Sequence, residues 1–196
     1  MCGRFIIAIN EGIAEIEKIL HSINENQSQE ITPKTGEIYP TDSVPVLSMQ
    51  SGRPVISIMA WGFPKWDSKG VIINAKSETV ADKKMFRESF MHRRCIIPTT
   101  GFYEWDGRGS KARSKYRFND VSGPMLYMAG LYADYPGIGP RFATITRAAN
   151  AYVSDIHDRM PVILYKDELV RWLTDYKFAV MVMSRDSALL KRINAE

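Results

Sequence analysis

Cysteine is scarce in this chain: Cys2 and Cys95 are the only two among 196 residues. Two thiols do not make a disulfide framework, so the sequence reads as a cytoplasmic protein that keeps its thiols reduced. Long apolar runs are missing as well. No window approaches the roughly 20 apolar residues that cross a bilayer. The run Phe5 to Ile9 is too short for a signal-peptide core and Glu11 follows it closely, so no membrane partner is expected. Histidine occurs three times. His92 and Cys95 have ligand-like spacing, but no second close pair accompanies them and Cys95 lies in an apolar stretch, which argues against zinc. Neither a metal nor a cofactor is expected. Charge of one sign is not abundant either: 26 Lys and Arg against 22 Asp and Glu leave a net charge of +4. That excess favours a polyanionic partner without identifying one. Internal repeats, low-complexity segments and convincing linkers are absent too, so one domain over residues 1–196 is expected. We expect it to act as a monomer.

What is present is a globular composition, 45% hydrophobic, which excludes a disordered chain. Phe5 to Ile9 reads as a buried strand. Ile13, Ile16, Ile19, Leu20 and Ile23 share one face of an amphipathic helix, and the polar stretch Asn24 to Thr35 reads as a loop. Val44 to Met49 and Val55 to Trp61 form a strand pair turned at Ser51 and Gly52. Further strands are expected at Val71 to Ile73, Cys95 to Ile97, Phe102 to Trp105, Tyr116 to Phe118, Met125 to Leu131, Phe142 to Thr146 and Phe178 to Met183. Helical character falls on Thr79 to Phe90, Asp167 to Leu173 and the C-terminal tail. Many short strands with hairpin-length links imply an α+β fold with largely antiparallel sheets and helices packed outside.

Five features bear on chemistry. Removal of Met1 would leave Cys2 as a 1,2-aminothiol. An α-amine titrates near ~7.7–8.0 and a lysine near ~10.4, so at neutral pH the former is far more often unprotonated. A neutral amine adds to an aldehyde to give an imine, and the adjacent thiol can close a five-membered thiazolidine on it. The same residue is also consistent with a small side chain tucked under the first strand. Glu104, between Tyr103 and Trp105 in GFYEW, suits general acid–base work if aromatics desolvate it, or is an edge-strand glutamate facing water. His157, in IHDRMP, could relay a proton or simply satisfy a loop. Asn74 precedes Lys76 and Ser77, which are ordinary phosphate contacts. Alternatively, Ser77 to Thr79 cap the next helix. Finally, Trp61 and Trp66 flank the turn of WGFPKW. Unpaired bases stack on such rings, and Arg4, Lys65 and Lys76 could follow a DNA backbone. The basic stretch Arg108, Lys111, Arg113 and Lys115 reads as a solvated loop.

The ordered combination of MCGRF, YPTDSVPVL, WGFPKW, NAKSET, RRCIIPTTGFYEW and IHDRMPVIL resembles the SOS-response-associated peptidase (SRAP) family, from Met1 to about Leu173. The resemblance implies a β-barrel-like core with flanking helices and a positively charged cleft for single-stranded DNA. It implies a covalent thiazolidine crosslink between Cys2 and the ring-opened deoxyribose of an abasic site, which shields the lesion. Carried over, Cys2 is the nucleophile, Glu104 manages protons at its amine, Asn74 orients amine or sugar, and His157 assists ring opening and crosslink reversal. Arg4, Trp66, Lys76, Ser77 and Trp105 match DNA-contacting positions. Two departures stand out. Lys76 replaces the arginine usual after Asn-Ala and loses its bidentate fork, and the stretch after Leu173 is short and lacks a valine-asparagine ending. Two other readings stay open: a thiol peptidase or autopeptidase using Cys2 and His157, and a non-covalent single-strand binder using Trp61, Trp66 and Trp105. The imine also gives lyase-like chemistry a route.

Overall fold

A computed structural model describes residues 2–8, 34–66, 69–107, 114–185 and 189–195. The expected helix over Ile13 to Ile23, most of the Asn24 to Thr35 loop, and Arg108, Lys111 and Arg113 lie outside the described residues.

The first layer is a five-stranded sheet built on β1 (Phe5–Ile7), with β2 (Gly36–Ile38) on one side and β9 (Gly101–Trp105) on the other. β10 (Lys115–Asp120) and β15 (Leu190–Asn194) continue it beyond β9. Strand alternation sorts its side chains by face. Phe5, Ile7, Phe102, Glu104 and Phe118 are buried, and Phe102 stacks on Phe118 with centroids 5.1 Å apart. Gly101 is needed for that approach, since a Cβ there would meet the Phe118 carbonyl oxygen at 2.8 Å.

The second layer is a ring. β3 (Ser43–Gln50) pairs with β4 (Arg53–Trp61) and with β8 (Arg94–Thr99), and β8 pairs with β11 (Leu126–Tyr135). β11 pairs with β12 (Gly139–Ala148), and β12 returns to β4, which closes a five-stranded barrel. The β12–β4 pairing is parallel, as is that of β12 with β7 (Asn74–Lys76). The other pairings are antiparallel, as the sequence predicts. β5 (Phe63–Pro64) and β6 (Val71–Ile72) form a small ribbon, β13 (Arg159–Pro161) pairs with β12, and β14 (Ile163–Leu164) pairs with β11.

Three α-helices occur among the described residues: α1 (Lys84–His92), α2 (Leu169–Thr174) and α3 (Tyr176–Ser184). Buried Arg94 ties two of them to the barrel. Its guanidinium donates to the carbonyls of Phe90 and Met91 at the end of α1, and of Trp172 and Leu173 at the end of α2. A cation there satisfies carbonyl oxygens that helix ends leave without partners.

Two expected elements change type. Phe178 to Met183 is helix α3 rather than a strand, because a short apolar run does not distinguish the two by periodicity. Its start is fixed by Asp175, whose Oδ1 accepts from Phe178 N at 3.0 Å. The C-terminal tail is strand β15 rather than a helix, paired along the edge of β10. Helix α1 begins at Lys84, so Ser77 to Thr79 do not cap it as one alternative had it. No described helix is long and apolar enough to cross a membrane.

Candidate functional site

Cys2 lies where the two layers meet and is fully buried. Its Sγ donates to the Arg4 carbonyl at 3.6 Å. Burial, followed by the negative charge of Glu104, pushes the thiol far above its ordinary range, against the pull of that carbonyl contact and of the α-ammonium. The sulfur is therefore held as S–H at neutral pH.

Asn74, on β7, holds the Cys2 main chain. Its Nδ2 donates to the Cys2 carbonyl at 3.0 Å, and its Oδ1 accepts from Thr144 Oγ1 at 2.5 Å. The parallel register of β7 with β12 sets Thr144 directly beside Asn74, which fixes the amide's orientation from the barrel wall. Thr144 carries no sequence signal, because its role depends on that non-local pairing.

Glu104 is only 3% exposed. Its strand β9 is interior, between β1 and β10, so the alternative of an edge-strand glutamate facing water does not hold. Tyr103 and Trp105 are its chain neighbours and, by alternation, project from the opposite face. Burial between the layers desolvates the carboxyl, raising it to about 7 against attraction and hydrogen bonding from the α-ammonium, with Asp158 adding repulsion. A carboxyl half-protonated near neutrality both accepts and donates protons.

Asp158 belongs to the IHDRMP segment, whose charge is thus felt at Glu104. His157 is partly exposed, and its Nδ1 lies 2.9 Å from Arg159 N and 3.0 Å from Asp158 Oδ1. These two contacts exclude each other at any instant. Neutral imidazole accepts from the amide at Nδ1 and carries its proton on Nε2, whereas imidazolium donates from Nδ1 to Asp158. Next to it, Arg159 grips Glu78 of NAKSET with two hydrogen bonds of 2.5 and 2.9 Å and donates to the Thr146 carbonyl at 2.6 Å. Arg159 holds the Glu78 carboxyl down at about 2. This clamp joins two motifs that are 81 residues apart; sequence supplies both partners but not their pairing.

The expected DNA contacts divide. Lys76 and Ser77 follow Asn74 along β7 and the turn after it, with Lys76 exposed and Ser77 N donating to the Thr146 carbonyl at 2.8 Å. Trp66 is fully exposed. Trp61 is not a stacking platform: it is fully buried, packed on Phe5 with centroids 4.9 Å apart, and its Nε1 donates to the Ile73 carbonyl. That corrects its place among the candidate base-stacking rings. Arg4 and Trp105 belong to a separate cluster in which Arg4 is paired with Glu37 at 3.0 Å. Among the described residues, no group of three or more His, Cys, Asp or Glu gathers to hold a metal.

A family model described as SOS response associated peptidase (SRAP) matches residues 1–193, further than the motifs alone reach. The chain is 31% identical over 185 residues to the abasic site processing protein YoqW of Bacillus subtilis, covering 88% of this chain and 80% of that one. It is 29% identical over 140 residues to the abasic site processing protein YedK of Escherichia coli, covering 69% and 63%. A crystal structure of a protein from Bacteroides thetaiotaomicron shares the fold with a TM-score of 0.80 at 22% identity, over 100% of this chain and 92% of that one.

Proposed function

The chain belongs to the SOS response associated peptidase family, and we propose that it processes abasic sites in single-stranded DNA by crosslinking itself to them through Cys2. The observation that carries this reading is the buried Cys2, whose carbonyl accepts from Asn74 and whose thiol feels the charge of buried Glu104. Relatives named as abasic site processing proteins support the substrate.

The chemistry starts once Met1 is gone and the α-amine belongs to Cys2. The neutral amine adds to the aldehyde carbon of the ring-opened deoxyribose, and water leaves to give an imine. The Cys2 sulfur then bonds to the same carbon while its proton passes to nitrogen. One C–N and one C–S bond form, and the carbonyl oxygen departs as water. Glu104, whose carboxyl burial raises above its ordinary range, takes a proton from the Cys2 ammonium and returns one to the departing hydroxyl. Asn74 keeps the Cys2 main chain in register with the incoming carbon, and His157 assists sugar ring opening and reversal. Lys76, Ser77 and Trp66 guide the strand.

A thiol peptidase is supported less well. It needs a thiolate paired with an imidazolium, whereas burial and the Glu104 charge both favour the neutral thiol. The test is direct: incubate the protein with single-stranded DNA carrying one abasic site, denature, and look for a covalent band. The proposal expects a band that Cys2→Ala abolishes; a band that survives this change refutes it.

A further inference from the structure

A second cluster lies on the other face of the five-stranded sheet from Glu104. Glu37, on edge strand β2, accepts from Arg4 Nη1 at 3.0 Å with one oxygen and from Lys115 Nζ with the other. The Arg4 guanidinium sits 3.5 Å over the Tyr39 ring, and Lys115 Nζ lies 4.1 Å from the Tyr103 ring centre. Trp105 is within 6 Å of both cations, at 5.6 and 5.8 Å. All three charged side chains keep between a fifth and a third of their surface exposed, at 22%, 28% and 22%, so a ligand can reach them.

Cations interleaved with aromatic rings are the composition of single-strand binding grooves, in which phosphates meet the cations and bases meet the rings. Here the anion is supplied by the chain. Building on the DNA-processing reading, we infer that Glu37 is an internal phosphate mimic: it occupies Arg4 and Lys115 in the free protein and is displaced by a backbone phosphate. A phosphodiester carries the same single negative charge as this carboxylate and spans two donors equally well. Every strand must then compete with Glu37. Undamaged DNA is held weakly and leaves, whereas an abasic strand is retained by its covalent bond. Glu37 thus sets selectivity without touching the reacting atoms. The Lys115 hydrogen bond, chiefly, with that of Arg4 also contributing, keeps the carboxyl below its ordinary range, so the mimic is charged at neutral pH.

The alternative is a structural clip that pins β2. That strand is already held by three register pairs with β1, and the two roles predict opposite signs. Binding of an undamaged, fluorescein-labelled oligothymidylate is measured across a salt titration for the wild-type protein, Glu37→Gln and Glu37→Asp, with melting curves for all three. The inference expects Glu37→Gln to bind about three- to ten-fold tighter at low salt, with log K against log salt steeper by about 0.7 per phosphate engaged. Glu37→Asp, which keeps the charge, should behave as wild type. Equal or weaker binding by Glu37→Gln, no binding by either protein, or a Glu37→Gln chain that fails to fold overturns it. A parallel arm with abasic DNA separates the two claims. Loss of crosslinking in the wild type strikes the DNA-processing reading, whereas normal crosslinking without tighter binding by Glu37→Gln strikes only this one.

Discussion

The side-chain amide of Asn74 donates to the Cys2 carbonyl at 3.0 Å while its own oxygen accepts from Thr144 at 2.5 Å. A strand of the barrel wall thereby fixes the orientation of the residue proposed to react. Removing one such hydrogen bond from a buried site costs roughly 1–3 kcal/mol, and misplaced reactants lose rate accordingly. Asn74→Ala is expected to slow crosslinking by roughly 10- to 100-fold. Thr144→Val, which leaves Asn74 in place but frees it to turn, should slow it by a smaller factor. Single-turnover gel kinetics checks both.

Glu104 couples stability to pH. Its carboxyl titrates near 7 in the fold, against an ordinary value of 4.5. The folded state therefore holds a proton that the unfolded chain releases, and stability falls as pH rises from about 4.5 to 7. Glu104→Gln removes that loss. Urea denaturation should show the variant more stable than wild type at pH 8, by an amount on the order of 3 kcal/mol at most, with little difference at pH 4.5. The same variant should be severely impaired in crosslinking.

The reaction rate should follow two ionisations. Crosslinking needs an unprotonated α-amine, which titrates near ~7.7–8.0 when unperturbed, and a carboxylate at Glu104 to accept its proton. Initial rates should rise from pH 6 to pH 8. Glu104→Gln should remove the part of that rise that belongs to the carboxyl and keep the part that belongs to the amine.

The tryptophans of WGFPKW should separate cleanly. Trp61 fills the core between Phe5 and Phe142, so Trp61→Ala should cost about 3–5 kcal/mol in chemical denaturation. Trp66 is fully exposed, so Trp66→Ala should leave stability within about 0.5 kcal/mol. It should weaken single-strand binding by roughly 1–3 kcal/mol.

Strand positions are readable where apolar runs flank a turn signal, as in Ser43–Gln50 and Arg53–Trp61, whose Ser51-Gly52 turn falls where expected. Phe178 to Met183 was not, because six apolar residues fit either a buried strand or a helix face, and the decision rests on the Asp175 cap. For Glu104 the sequence points to desolvation by aromatic neighbours, and the structure supplies a different cause. Its aromatic chain neighbours lie on the other face, and burial between two layers is what desolvates it. Partners that act across strands, such as Thr144 for Asn74, Glu78 for Arg159 and Glu37 for Arg4, were not legible at all. Each depends on a register that local sequence does not encode.

Mass spectrometry of the protein–DNA adduct tests the proposed Cys2 crosslink itself. A thiazolidine on Cys2 gives an intact mass equal to the chain without Met1 plus the abasic oligonucleotide, less one water, and a proteolytic peptide that begins at Cys2 and carries the sugar on that residue. An adduct that retains Met1, or one carried by Cys95 or by a lysine, would contradict it.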